Sequence, residues 1–282
     1  MSNIETTGMS EIIRHIRDLP TLPEVAHELL ADLSNDESSM DSMNEKIAMD
    51  QSITAKILRL ANSSHFGTNS RVVTIQQATA LLGVRNIKNV IRTSVMSRQF
   101  PIVNCPGFDF RSFWRHSTAT AVCAELISRA LHMKHDFAFT AGLLHDIGRL
   151  VLVTHNPSAY AQVIQTKVTL DCALIEAENS VLQTNHVEAG LALAQHWHFA
   201  EAVQDAIRGH HQPDLEDIHP LASVIHVANS MVHALDLNGQ ENDAVPLLSQ
   251  QAWDTLALDE KECLSIFRET EMRCEALNQI FL

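Results

Sequence analysis

The chain has 282 residues, of which 45% are hydrophobic, and its formal net charge is −14 at neutral pH. This composition fits a globular protein and excludes a mainly disordered chain, and the negative charge makes nucleic acid an unlikely general partner. Neither a signal-peptide pattern nor a run of roughly 18 apolar residues is found, so we expect a cytoplasmic protein with no membrane partner.

The first hundred residues are predicted to form six short helices, because residues that cap or break helices recur between the apolar runs. The predicted helices follow Ser10, begin at Pro23, surround Ile47, are capped by Ser52, run from Thr74 to Gly83, and cover Val84–Arg98.

The segment Pro101–Gly107 is short, contains two prolines and a glycine, and is the predicted domain boundary. Residues 1–100 are expected to form an N-terminal helical lobe, 108–240 a C-terminal helical domain and 241–282 a helical extension. No stretch alternates with the period of a strand, so the predicted fold is all-α with two packed lobes. The longer helices are predicted near 110–132, 136–153, 157–168, 171–182, 185–196, 199–210, 218–235, 249–256 and 260–280.

Residues 51–108 contain seven basic residues and no aspartate or glutamate. In the helix that begins at Val84, Arg85, Lys88 and Arg92 are spaced to share one face, which we predict to be exposed and to bind an anionic partner. That partner is either the acidic remainder of this chain or another protein. Nucleic acid is disfavoured here too, since stacking aromatic residues are nearly absent.

An adjacent His145-Asp146 pair interrupts the otherwise apolar helix predicted over 136–153. Burying an imidazole beside a carboxylate is costly unless the two are compensated. A divalent metal ion would compensate both, and the carboxylate could bridge two ions. A hydrogen-bonded pair in the core explains the same residues, and the pair alone fits both interpretations.

Further histidines stand at the ends or on the inner faces of predicted helices. His116 lies early in a long apolar helix, His186 begins a helix, and His210-His211 ends one just before a proline. Each alone fits a core or capping role. Five other histidines in this half show no such pattern, and we expect them to be surface or core residues. They are His196, His198, His219, His226 and His233.

Taken in order, His116 and His145-Asp146 resemble the metal ligands of HD-domain phosphohydrolases. The insertion of His186 and His210-His211 resembles the two-metal arrangement of HD-GYP phosphodiesterases. The chain departs from those enzymes at three places. Asn229 stands in the distal acid position, Gln212 stands where a glutamate often follows the histidine pair, and no Gly-Tyr-Pro loop follows.

Motifs in the first half are similar to those of the HDOD family, and the resemblance extends from Leu19 to Ala234. The segments that carry it are Leu19-Pro-Thr-Leu-Pro-Glu-Val25, Leu58-Arg-Leu-Ala-Asn-Ser63, Ala80-Leu-Leu-Gly-Val84, Phe113-Trp-Arg-His-Ser117 and Gly142-Leu-Leu-His-Asp-Ile-Gly-Arg149. This resemblance implies a bacterial signalling output module with an HD-like helical domain over 108–240.

The resemblance leaves two functions open. One is a regulatory module whose partners are other signalling proteins, with Arg85, Lys88 and Arg92 as the predicted contact. The other is a metal-dependent phosphohydrolase acting on a phosphorylated small molecule, with His145 and Asp146 as its catalytic pair. In either case a divalent transition metal (Fe, Mn, Zn or Ni) suits an imidazole-rich site. The predicted metal-binding residues are His116, His145, Asp146, His186, His210, His211 and Asn229.

Overall fold

The structure is a computed structural model that describes residues 8–19, 50–63, 66, 71–133, 137–237 and 245–278. The helices predicted from Pro23 and around Ile47, and most of the Leu19–Val25 motif, lie outside the described residues. The described part of the chain is helical and contains no strand, which confirms the all-α prediction. None of its helices is long and apolar enough to cross a membrane.

Fourteen helices are present in the described ranges. They are α1 (Met9–Asp18), α2 (Gln51–Ala61), α3 (Ile75–Leu82), α4 (Val84–Ser97), α5 (Phe110–Ala130), α6 (Ala138–Leu144), α7 (Ile147–His155), α8 (Pro157–Leu170), α9 (Leu174–Leu182), α10 (His186–His196), α11 (Glu201–Gly209), α12 (Leu221–Ala234), α13 (Gln250–Leu256) and α14 (Glu260–Asn278).

The N-terminal lobe is formed by α2, α3 and α4, which pack on one another through apolar faces. As predicted, Thr74 begins α3 and Gly83 ends it. In the structure Thr74 forms a capping box with Gln77, and Gly83 has a positive φ of 79°. The predicted cap at Ser52 is wrong. Asp50 caps α2 instead, because its Oδ1 accepts hydrogen bonds from the backbone N–H groups of Ser52 (2.9 Å) and Ile53 (3.0 Å).

The C-terminal lobe is built around α5, a long helix that is buried over most of its length and packs against α6, α12 and α14. Small side chains let the neighbouring helices come close to it. A Cβ added at Gly142 on α6 would lie 2.6 Å from the Cα of Ala121 on α5, so these two backbones nearly touch. The early turns of α5, which carry His116, are therefore fixed by packing on several sides.

Helix α1 packs on the C-terminal lobe, against α7 and α10. Its buried stripe is Ile12 and Ile16, and His15 Nε2 lies 3.2 Å from the hydroxyl of Thr154 at the end of α7. The first helix of the predicted N-terminal lobe thus contacts the other lobe, while the predicted domain limits themselves stay predictions.

The single helix predicted over 136–153 is wrong, because the helix is interrupted at the His-Asp pair. α6 ends at Leu144 and α7 begins at Ile147, and Asp146 is the N-cap residue of α7 with φ −102° and ψ 9°. The His145 ring nitrogen Nδ1 lies 2.7 Å from the carbonyl oxygen of Gly142. The interruption places both side chains at a junction between helices, with His145 Nε2 3.8 Å from Asp146 Oδ1.

The prediction of one exposed face on α4 is wrong for Arg92. Its guanidinium is buried, donates a hydrogen bond to Asn89 Oδ1 (3.0 Å) and lies 6.0 Å from the ring centroid of Phe139 on α6. Asn89 in turn donates to Glu125 Oε2 on α5 (2.9 Å), and the exposed Arg85 lies 3.3 Å from Glu125 Oε1. Arg92 is buried because it belongs to this link between the two lobes. Lys88 is half-buried.

Candidate metal centre

Helix ends carry most of the residues that the sequence singles out. His145 and Asp146 lie between α6 and α7, His186 is the first residue of α10, and His210-His211 directly follow α11. The start of α10 is fixed by Asn185, whose side chain accepts a hydrogen bond from the backbone N–H of Glu188. Chain directions that change at these junctions turn several imidazoles toward one point.

The first of two groups of ligand-type atoms consists of Asp146, His186, His210 and His211, which we call the His186 subsite. Asp146 Oδ1 lies 3.5 Å from His186 Nε2 and 3.4 Å from His210 Nε2. The Nε2 atoms of His186 and His211 are 2.9 Å apart. One atom from each residue lies within 4.8 Å of the others, a spacing compatible with a single bound ion.

The second group consists of His116, His145 and Asp146, which we call the His116 subsite. The Nε2 atoms of His116 and His145 are 3.3 Å apart, and His145 Nε2 lies 3.8 Å from Asp146 Oδ1. Asp146 therefore belongs to both subsites. A carboxylate shared between two groups of imidazoles is the arrangement expected of a two-metal centre.

The site is closed to solvent on most sides. His116, His145, Asp146, His186 and His210 are buried, and His211 is its exposed member. Burial lowers the pKa of His145 to about 4 and holds the pKa of His116 well below its usual range. These imidazoles are thus neutral at neutral pH, the form in which histidine binds metals.

Asp146 is the anion of the cluster. Burial alone would raise its pKa, but the interactions of the carboxylate with His145, His210 and the Arg149 guanidinium outweigh that effect and hold the pKa of Asp146 well below its usual range. Arg149 contributes directly, since its NH1 donates a 2.9 Å hydrogen bond to Asp146 Oδ2. The second carboxylate oxygen is therefore engaged, and Oδ1 faces the imidazoles.

Hydrogen bonds at Nδ1, on the side of the ring away from the cluster, orient three of the imidazoles. Nδ1 of His145 faces the Gly142 carbonyl, Nδ1 of His210 lies 2.8 Å from the Ile207 carbonyl, and Nδ1 of His186 lies 2.6 Å from Glu178 Oε2. An acceptor at Nδ1 fixes the proton there and leaves Nε2 free to bind a metal. Burial lowers the pKa of His186, but the charge of Glu178 outweighs it, so that the pKa is raised overall.

Buried polar atoms without hydrogen bonds are a further sign that these residues could bind a metal ion. Among the described residues these include His210 Nε2 and Asn229 Oδ1. Such atoms are costly to bury unless a bound species satisfies them. A transition metal bound by several imidazoles and one carboxylate would satisfy His210 directly, and would suit Fe, Mn, Zn or Ni.

Helix α12 carries two relevant residues. Asn229, in the predicted position of the distal acid, is buried. One turn later the His233 ring lies 4.6 Å from the His116 ring, centroid to centroid. His233 was expected to be a surface or core residue and not part of the site. Its spacing of four residues from Asn229, about one helical turn, is the signal that indicates the same helix face.

The structure thus brings together five imidazoles and one aspartate on an all-helical scaffold, which defines a helical protein with an HD-like His/Asp cluster. The chain belongs to the HDOD domain family, whose profile matches residues 19–213. The resemblance found in the motifs is therefore confirmed.

Among curated proteins, an uncharacterized protein of Treponema pallidum is 26% identical over 237 residues, which are 82% of this chain and 46% of that protein. The Bacillus subtilis protein YuxH is 38% identical over 74 residues, 26% of this chain and 18% of YuxH. The chain thus spans about half or less of the length of the curated relatives it matches.

Solved structures share the fold over nearly the whole chain. An HDOD domain protein of unknown function from Geobacter sulfurreducens superposes with a TM-score of 0.80 at 22% identity, covering 98% of this chain and 100% of that chain. A proposed phosphohydrolase of Shewanella amazonensis gives 0.70 at 24%, with 96% and 97% covered. A proposed signal-transduction protein of Marinobacter aquaeolei gives 0.75 at 20%, with 99% and 62% covered. Identities this low show the fold alone.

Proposed function

We propose that this chain is a signal-transduction output module of the HDOD type, in which an HD-like centre binds a divalent transition metal as part of the regulated structure. The observation that carries the proposal is the convergence of six ligand-type residues in a site where His211 is the exposed member. Closed sites are typical of structural metals, whereas catalytic sites keep an open position for water or substrate.

Two natural differences from the related HD enzymes favour a regulatory role over hydrolysis. Asn229 offers a dipole where the related enzymes have a carboxylate, and Gln212 removes a second acid. Fewer anionic ligands attract a divalent ion less strongly, so the metal that hydrolysis would require is bound less tightly. We propose other signalling proteins as the partners, contacted by Lys88 and by the exposed part of Arg85, which also lies against Glu125.

A metal-dependent phosphohydrolase is the second candidate, and the sharing of Asp146 between the two subsites favours it. In that function His145 and Asp146 would be the catalytic pair, and a bound metal would supply Lewis acidity toward water and a phosphate oxygen. The exposed edge at His211 is the side from which a phosphorylated small molecule would enter.

Metal analysis of the purified chain, compared with a His145→Ala/Asp146→Ala double variant, tests the proposal. We expect bound transition metal in the parent chain and its loss in the double variant, because both subsites contain Asp146. His196→Ala is the matched control, since this half-buried histidine ends the same helix that His186 begins. Unchanged metal content in the double variant would show that the metal site is wrongly assigned.

The same samples separate the two candidates. A generic phosphodiester substrate, bis(p-nitrophenyl) phosphate, is incubated with the parent chain and added Mn or Fe. We expect no turnover above that of the double variant. Turnover that requires metal and is lost in the double variant would establish the phosphohydrolase instead.

A further inference from the structure

Glu178 on α9 is a fully buried carboxylate that lies directly behind the metal centre. Its Oε2 accepts hydrogen bonds from Nδ1 of His186 (2.6 Å) and from the backbone N–H of His186 (2.9 Å), and its Oε1 accepts one from the hydroxyl of Tyr160 (3.0 Å). Three hydrogen bonds thus hold one anion against a single ligand-type histidine.

We propose that the two subsites are unequal. The His186 subsite binds its ion tightly, with Glu178 as the positioning residue, whereas the His116 subsite binds weakly and exchanges its ion with the surroundings. This inference rests on the proposed metal-binding function. It assigns the exchangeable subsite as the part of the module that responds to metal availability.

Hydrogen bonding favours the His186 subsite. The Glu178 carboxylate holds the proton at Nδ1 of His186, keeps Nε2 directed at the centre and makes the ring a stronger donor to a metal. Outer partners of this kind change metal affinity by about 10- to 100-fold. His210 is also anchored, through the Ile207 carbonyl. Two of the three histidines in this subsite are therefore oriented before any metal binds.

The His116 subsite has less of this support, and no carboxylate of the described residues contributes to it. Nδ1 of His116 is buried and forms no hydrogen bond among the described residues, so no acceptor holds its proton at Nδ1 and leaves Nε2 free for a metal. His145 has only the neutral Gly142 carbonyl behind it. The subsite has three ligand-type residues instead of four. Helix α12, whose His233 ring lies beside His116, offers an asparagine rather than an acid at position 229.

Charge makes the same distinction. Asp146 is the single carboxylate among the ligand-type atoms of the two groups, and Arg149 already engages its Oδ2. Two divalent ions sharing one carboxylate repel each other strongly. A further buried carboxylate, that of Glu178, contacts His186. The first ion is therefore favoured at the His186 subsite, and the second binds against the repulsion of the first.

Calorimetric titration of the metal-free full chain with Co²⁺, followed in parallel by the visible absorption of the ion, tests this inference. We expect two steps with dissociation constants at least about tenfold apart. Glu178→Gln should weaken the tight step by about 10- to 100-fold and leave the weak step unchanged, and His116→Ala should remove the weak step alone. Glu188→Gln, an exposed carboxylate on the first turn of α10, is the matched control.

Tyr160→Phe covers the case in which Glu178→Gln does not fold, as judged by circular dichroism. It removes one hydrogen bond to Glu178 but keeps the carboxylate, so it should weaken the tight step by a smaller factor. Two equal steps, or a loss of both steps in Glu178→Gln or Tyr160→Phe, would overturn the inequality while leaving metal binding intact. Absence of any binding in the parent chain would overturn the proposed function instead.

Discussion

Asn229 is the residue at which this chain departs most clearly from the metal-dependent HD enzymes it resembles. Its side chain is buried on α12, and its Oδ1 accepts no hydrogen bond from the described residues. An amide oxygen can bind a metal only through its dipole, whereas a carboxylate would add a full charge to a centre made mainly of neutral imidazoles.

Asn229→Asp is therefore expected to tighten metal binding, and to do so at the weaker of the two steps. Outer-shell changes already alter metal affinity by about 10- to 100-fold, so a charge in the ligand shell should be worth at least about tenfold. Calorimetric titration at neutral pH measures it, with Asn86→Asp on α4 as a control for the added charge alone. Equal or weaker affinity in a folded Asn229→Asp protein would place Asn229 outside the metal shell.

Residue type carries much of the information about the site, but not all of it. The His145-Asp146 pair and the histidines at 116, 186, 210 and 211 have a chemistry that is visible in the sequence, and the structure brings them together. Glu178 and Tyr160 were not predictable in this way. They reach the site only through the packing of α8 on α9, and no motif distinguishes a buried glutamate from an exposed one before the fold is known.

At the scale of helices, the centre depends on how closely α7 and α10 cross. A Cβ added at Gly148 would lie 1.9 Å from the carbonyl oxygen of His186 and 2.5 Å from the backbone nitrogen of Gly190. The first turn of α7, which follows Asp146, thus rests directly on the first turn of α10, which begins with His186. The contact fixes the distance between two ligand-type residues of one subsite.

Gly148→Ala should separate these helices. Alanine gains about 1 kcal/mol over glycine in helix propensity, but the clash is with backbone atoms that have no rotamer to relieve it. Overpacking of this kind costs about 1–3 kcal/mol or more, so we expect net destabilisation in urea unfolding together with weaker metal binding at the tight step.

Gly190→Ala, on the facing helix, is the natural control for this substitution. Its Cβ would meet Ile207 Cγ2 at 3.2 Å and the backbone nitrogen of Gly148 at 3.3 Å, contacts that small shifts relieve. A Gly148→Ala protein as stable as Gly190→Ala would show that the crossing tolerates expansion.

Most helix positions could be predicted from apolar periodicity and capping residues, but the interruption of the helix over 136–153 could not. The apolar spacing continues from Ala138 through Val151 on both sides of the His145-Asp146 pair, and no proline interrupts it, so the pattern predicts one helix. At the break, the Asp146 carboxylate contacts the nearby Arg149 and the imidazoles of distant segments. Local sequence carries no record of the distant contacts.

For the molecule as a whole, the acid-free stretch over residues 51–108 has an acidic neighbour within the chain. Arg85 and Asn89 contact the buried Glu125 of α5, and Arg92 reaches the same network through Asn89. Of the two partners that the charge pattern left open, the chain itself accounts for these residues. The spacing on α4 could not separate them, because Lys88 and Arg92 are chemically alike and differ only in what packs over them.

Charge reversal at Arg92 and at Lys88 distinguishes a link between lobes from a docking surface. Arg92→Glu would place a carboxylate in a buried network beside Glu125, and loss of one partner from a buried charged network costs about 3–5 kcal/mol. Lys88→Glu, one turn away and half-buried, should change stability by less than about 1 kcal/mol. Thermal and urea unfolding of both variants measure the difference. If the two substitutions destabilise the chain equally, or neither does, the Glu125 network does not hold the lobes together, and the cations of α4 are then better explained as a surface for another protein.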